Sequence, residues 1–204
     1  MTASEPSETT GQVYARQGYI IAMVTALITT ISFGMAITTP PLSGPFCTGG
    51  CFEYPYSYIA SRFPVDYLWM YPTMLVSLFF VLFMVAIHLR TDPGKKLYSL
   101  SGISLAILSA AVLVPNYFVQ VTVIQPSLLR GETEGIALIS QFNPHGIFIA
   151  MEEAGFLLMN IALLVVAPAF HGNGRLFRFI RITTMTSFLL AVAAILLISV
   201  KHGV

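Results

Sequence analysis

The chain predicts an all-α fold, a polytopic transmembrane helical bundle of about five spans, and three observations carry that reading. Hydrophobic residues fill 56% of the 204 positions and charged residues only 9%, with a mean hydropathy of +0.80. The apolar residues gather in stretches close to the ~20 that a helix needs to cross the hydrocarbon core. Short polar or Pro/Gly-bearing joints separate the stretches, so a single bundle is expected and the host is a lipid bilayer.

Residues 1–18 form a polar tail containing Glu5 and Glu8, and the apolar run after it is longer than the core of a cleavable leader. That run reads as a retained anchor. Residues 19–200 form the single transmembrane domain, with span one near 19–38, bounded by Pro40 and Pro41. This span carries a stripe of small or hydroxylated residues at helical spacing, Ala22, Thr25, Ala26, Thr29, Ser32 and Ala36. Helices in lipid associate through close approach of such residues, so the stripe predicts a packed neighbour. Spans two to five follow near 67–89, 100–124, 147–170 and 182–200, and 201–204 is a short tail.

Orientation follows from basic residues near the span ends. Arg16, Arg90, Lys95, Lys96, Arg175, Arg178 and Arg181 fall on one side, and Arg62, Arg130 and Lys201 on the other, seven against three. The N-terminus and the loops after spans two and four are therefore expected in the cytoplasm, with the C-terminus outside. The charge bias and a disulfide together point to the plasma (inner) membrane. A net charge of +1, with basic residues scattered over short loops, gives no footprint for nucleic acid.

The loop 39–66 then lies outside and holds both cysteines, in Cys47-Thr-Gly-Gly-Cys51. Two thiols around a Gly-Gly turn on an oxidising face predict a short structural disulfide. A redox pair would need partner cysteines or quinone chemistry that the rest of the chain does not offer, and two cysteines without nearby histidines leave a tetrahedral metal half ligated. Phe46, Phe52, Tyr54, Tyr58 and Trp69 are among the many rings around this loop. Such rings favour the membrane interface, so the loop is expected to lie as a lid on the outer rim.

Span three carries Gly102, Ala106 and Ala110 four residues apart, and at about 100° per residue Asn116 and Gln120 return to that same face. Pro115 removes a backbone hydrogen bond beside them and predicts a kink. With a rise of ~1.5 Å per residue, Asn116 and Gln120 lie roughly 12 and 6 Å below the outer boundary, and Glu152 and Glu153 roughly 8 to 9 Å below it. Two carboxylates at that depth are costly in hydrocarbon and usually face a bundle interior, a partner or a water-filled cavity. Adjacent buried carboxylates repel, and sharing a proton relieves the repulsion. The bland alternative starts span four at Ala154 and leaves both acids at the headgroup level.

Between spans three and four, 125–146 is a partly apolar loop. Its stretch Gly135–Gly146 is broken by Asn143-Pro144 and reads as a short interfacial or re-entrant segment. It places His145 seven residues before Glu152, two helical turns away if the helix starts that early. His145 is read as a helix-start residue rather than a metal ligand, and no metal is expected. His88 and His171 share a level and invite a haem reading, although histidines at span ends are usually interfacial anchors. No P-loop, GxSxG or HExxH motif is present, and no cofactor can be named.

The functional expectation is an outer-half cavity that binds a small lipophilic molecule through Asn116, Tyr117, Gln120, Tyr71 and His145. Glu152 and Glu153 are the candidate catalytic acid/base pair. The alternative is an accessory or assembly subunit docked on a larger membrane complex or on a second copy. A proton-coupled carrier is a third reading, weakened by the absence of an internal repeat.

Overall fold

The computed structural model describes residues 7–39, 42–44, 47–170, 172 and 174–202. Pro40, Pro41, Phe46 and His171 lie outside the described residues, so the haem reading of His88 with His171 has no geometry. Among the described residues, five helices are long and apolar enough to cross a membrane: Gly11–Thr38, Val65–Arg90, Pro93–Leu129, Ile147–Ala169 and Arg175–Leu197. The protein is an all-α integral membrane bundle.

The helices are α1 (Ser7–Thr38), α2 (Met70–Arg90), α3 (Lys96–Val119), α4 (Gln125–Leu129), α5 (Ile136–Ile139), α6 (Ile147–Val166) and α7 (Arg175–His202). Helix α1 begins at Ser7, inside the stretch 1–18 expected as a tail. Hydropathy marks where a helix meets lipid, not where its hydrogen bonds begin, and Gln12, Ala15, Arg16 and Gln17 are good helix formers. Helix α7 likewise starts at Arg175, ahead of the apolar run.

Contacts divide the chain into two compact units. The first comprises residues up to 27, 78–107 and from 158 onward. Its core is Phe80, Met84, Ala106, Ala162 and Val166. Gly102 permits this packing, since a Cβ there would stand 2.7 Å from Met84 Cε and 3.4 Å from the Ala162 carbonyl oxygen. The α1 stripe meets α2 here: Gly18 faces Ala86, and the Thr25 hydroxyl, bonded to the Ile21 carbonyl at 2.7 Å, also reaches the Phe79 carbonyl at 3.4 Å. His88 is a structural residue, its Nδ1 paired with Ser99 Oγ at 2.8 Å and its carbonyl accepting from Lys96 Nζ at 2.6 Å. Asn160 Oδ1 accepts from Ser187 Oγ, tying α6 to α7. Much of α7, including Leu189, Leu190, Leu196 and Leu197, remains exposed, as fits contact with lipid.

The second unit comprises 28–77 and 108–157. Here the stripe continues, with Ser32 Oγ hydrogen-bonded to Thr73 Oγ1. Cys47 and Cys51 form a disulfide, as the Gly-Gly spacing predicts. Gly155 lets α6 approach α3 so closely that a Cβ would lie 2.5 Å from Leu113 Cγ, and the Gly155 carbonyl accepts from Ser109 Oγ at 2.7 Å. Ala110, Leu113, Asn116 and Tyr117 are buried on one face of α3, in phase with buried Gly102 and Ala106 of the first unit, and Gln120 just past the helix end is buried too.

The departure from α geometry in this segment falls at Gln120–Ile124, which forms a π turn; α3 itself runs through Pro115. The cause is Pro126, which cannot donate to the carbonyl four residues back and whose ring crowds it. One turn widens to accommodate it, and the Gln125 backbone N–H donates to the Gln120 backbone carbonyl. In an α-helix two residues five apart are about 140° apart around the axis. The π turn closes that angle, and both glutamines are buried, at 1% and 2% exposure.

Candidate functional site

The second unit gathers its polar groups where α3, the start of α6 and the entry to α2 meet. Residues 57–62 and 65–67 form tight 3-10 turns that lead into α2. Four-residue spacing across them brings Arg62 onto Asp66 in a two-pronged pair, Nε to Oδ2 at 2.7 Å and Nη2 to Oδ1 at 3.0 Å. Asp66 is 1% exposed while the Arg62 side chain is 34% exposed. Among the described residues the fully buried carboxylate is thus Asp66; Glu152 and Glu153 are partly buried. Burial of Asp66 is tolerated because a guanidinium neutralises it bidentately.

The Asp66 carbonyl accepts from Trp69 Nε1 at 2.9 Å and from Gln141 Nε2 at 3.4 Å. Trp69 packs edge-to-face on Tyr117, centroids 5.4 Å apart, and Tyr117 packs in the same manner on Phe148 at 5.7 Å. Tyr117 is fully buried, and its hydroxyl donates to Glu152 Oε1 at 2.7 Å. A row of aromatic edges therefore fixes one phenol against one carboxyl group.

Asn116 and Gln120 face the bundle as the helical spacing predicts, yet both are spent on backbone. Asn116 Nδ2 donates to the Phe148 carbonyl at 2.9 Å, one turn before Glu152 on α6. Gln120 Nε2 donates to the Ile139 carbonyl at 2.6 Å, and its Oε1 accepts from the Gln141 amide at 3.1 Å. The amides are positioning groups: one sets α6 against α3, the other clamps the apolar loop. That loop is internally tied as well, because Asn143 Nδ2 bonds the Ala137 carbonyl at 2.8 Å and Asn143 Oδ1 accepts from the His145 amide at 3.0 Å. Replacing Gln120 by Leu strands the Ile139 carbonyl and the Gln141 amide, and an unmade buried hydrogen bond costs about 1–3 kcal/mol. Hydrogen exchange across 136–146 is expected to speed up in this variant, with α7 unchanged.

Two further expected site residues do not join the group. Tyr71 is 47% exposed on the surface of α2, and His145 is exposed beside the loop turn. Among the described residues no cluster of three or more His, Cys, Asp or Glu could hold a metal ion. Glu153, next to Glu152 on α6, has a buried Oε1.

The site also contains residues that hydropathy reading passed over. Tyr67 and Gln125 are fully buried, and among the described residues neither the Tyr67 hydroxyl nor either polar atom of the Gln125 side-chain amide has a hydrogen-bond partner. The hydroxyl lies beside the amides of Gln125 and Gln141, outside bonding geometry. Native interiors leave few such groups unsatisfied, and in a low-dielectric interior each is costly. No family model matches this chain, and neither a curated protein nor a solved structure matches it.

Proposed function

We propose that this integral membrane protein binds a small lipophilic molecule in the unit that carries the disulfide, with Glu152 as the group that meets the molecule's polar head. The observation that carries this reading is the 2.7 Å hydrogen bond from Tyr117 to Glu152 Oε1 under the Trp69 ring. Tyr117 fixes one oxygen of the carboxyl, and we read the second oxygen as the one that accepts from or donates to the ligand. A carboxyl group held in this way at membrane depth is suited to exchanging a proton with a bound head group. Tyr67 and Gln125 support the reading, since their unused hydrogen-bonding capacity suits a polar group entering this unit. Asn116 and Gln120 are read as positioning residues for Glu152 and the loop, and Glu153 as a neighbour that tunes Glu152. Tyr71 and His145 are not assigned to the site.

Solvent extraction of the purified protein followed by mass spectrometry tests this. Wild-type protein is expected to yield, apart from phospholipid, one small lipophilic species in near-stoichiometric amount. Glu152→Gln and Tyr117→Phe are expected to lower its recovery at least tenfold, while Tyr71→Phe leaves it unchanged. Equal recovery from all four proteins, each with wild-type thermal stability, would overturn the assignment.

A further inference from the structure

The first unit holds two neighbouring recesses at the basic end of the spans. A recess of about 430 Å³ opens between Gly18 of α1, Phe83 and Ala86 of α2, and Phe170 and Phe177, with exposed Arg90 on its edge. Gly18 contributes by being small: a larger side chain there would project toward α2, whose Ala86 Cβ is 3.6 Å from the position of an added Cβ. A second recess of about 280 Å³ is lined by Gly172, Gly174, Ile182 and the exposed Arg178 and Arg181. The two share a wall. The Phe177 ring that lines the first is so close to Gly172 of the second that a Cβ there would come within 2.6 Å of it.

The charge at this end is one-sided. Among the described residues no carboxylate lines either recess. Arg181 Nη2 reaches the Gly172 carbonyl at 3.4 Å, which draws its guanidinium over the second recess. Of the neighbouring charges, Lys96 is spent on the His88 carbonyl at 2.6 Å, and Asp92 has an interaction of its own. An apolar slot joined to a guanidinium-lined slot, at the level where spans end, matches an amphiphile with an anionic head. A soluble anion would leave the phenylalanine-walled recess without a role. A zwitterionic lipid would bring a cation against three arginines. Basic pockets between transmembrane helices recognise anionic phospholipid head groups, through guanidinium forks on phosphate.

We propose that the Arg90, Arg178 and Arg181 end of the bundle is a binding site for one anionic phospholipid, its phosphate on the arginines and an acyl chain in the Gly18–Phe177 recess. This site is separate from the Tyr117–Glu152 site and stands or falls independently of it.

The test uses delipidated full-length protein in mixed micelles, with native mass spectrometry reading bound phosphatidylglycerol or phosphatidylcholine. Phosphatidylglycerol is expected to bind at least tenfold more tightly than phosphatidylcholine. Arg90→Gln with Arg178→Gln is expected to abolish that preference. Gly18→Leu, which fills the recess without changing charge, is expected to weaken phosphatidylglycerol binding at least fivefold. Glu152→Gln is expected to bind it as wild type does, and inorganic phosphate in large excess is expected not to displace it. Equal binding of the two lipids overturns the proposal, as does a preference that survives the double arginine substitution. Displacement by inorganic phosphate would show a free-anion site and also overturn it. Should Gly18→Leu fail to fold by circular dichroism, the arginine substitutions and the phosphate competition decide alone.

Discussion

Arg62→Met is expected to destabilise the protein by about 3 kcal/mol, because it leaves the Asp66 carboxylate buried without its partner. The magnitude sits at the low end for breaking a buried pair, since solvent reaches one third of the Arg62 side chain and screens part of the interaction. The substitution also removes both short hydrogen bonds, at 2.7 and 3.0 Å, that hold the entry to α2. Asp66→Asn in the Arg62→Met background is expected to recover most of the loss, because a neutral amide avoids the cost of an isolated charge. Reversible unfolding in detergent, measured for both singles and the double, gives the coupling directly. A loss below about 0.5 kcal/mol for Arg62→Met would mark the pair as an ordinary surface ion pair.

Gly155→Val is expected to cost about 3 kcal/mol, at the upper end for overpacking a closed interface. The added Cβ would meet Leu113 Cγ and Cδ2 at 2.5 Å, and Leu113 is fully buried, so displacing it disturbs a close-packed interior. Helices α3 and α6 must then separate, which also stretches the 2.7 Å bond from Ser109 to the Gly155 carbonyl. Because α6 carries Glu152 and α3 carries Tyr117, the same separation is expected to lengthen their contact. Leu113→Ala added to Gly155→Val is expected to restore part of the stability, a non-additive result that only a direct contact produces. Additive losses in thermal unfolding would refute the close approach.

The sequence exposes the bundle because its information is coarse and repeated. Five apolar runs of spanning length, a ladder at Gly102, Ala106 and Ala110, and a small-residue stripe from Ala22 to Ala36 each rest on many residues, so a local misreading does little harm. The inward direction of Asn116 and Gln120 was legible for the same reason, being a matter of helical phase. Their partners were not. An amide that faces inward can meet a ligand or a backbone carbonyl, and only the fold brings the Phe148 and Ile139 carbonyls to them.

Asp66 escaped a hydropathy reading because a lone acid in an aromatic loop resembles any surface acid. The available signal was Arg62 four residues earlier, a spacing that pairs side chains across a helical turn. Gln125 escaped because α-helical phase carries it away from Gln120, and the Pro126-induced π turn brings it back. Tyr117 and Glu152 both stand among the expected site residues, yet nothing in the sequence announces the bond between them, because it needs α3 and α6 to lie side by side.

The measurement that tests the central claim most directly is native mass spectrometry of the protein extracted gently from its own membranes. A small lipophilic adduct that is present on wild type and Glu153→Gln, and absent from Glu152→Gln, is the expected result. A stoichiometric protein partner with no small adduct would contradict it and make this chain a subunit of a larger membrane complex.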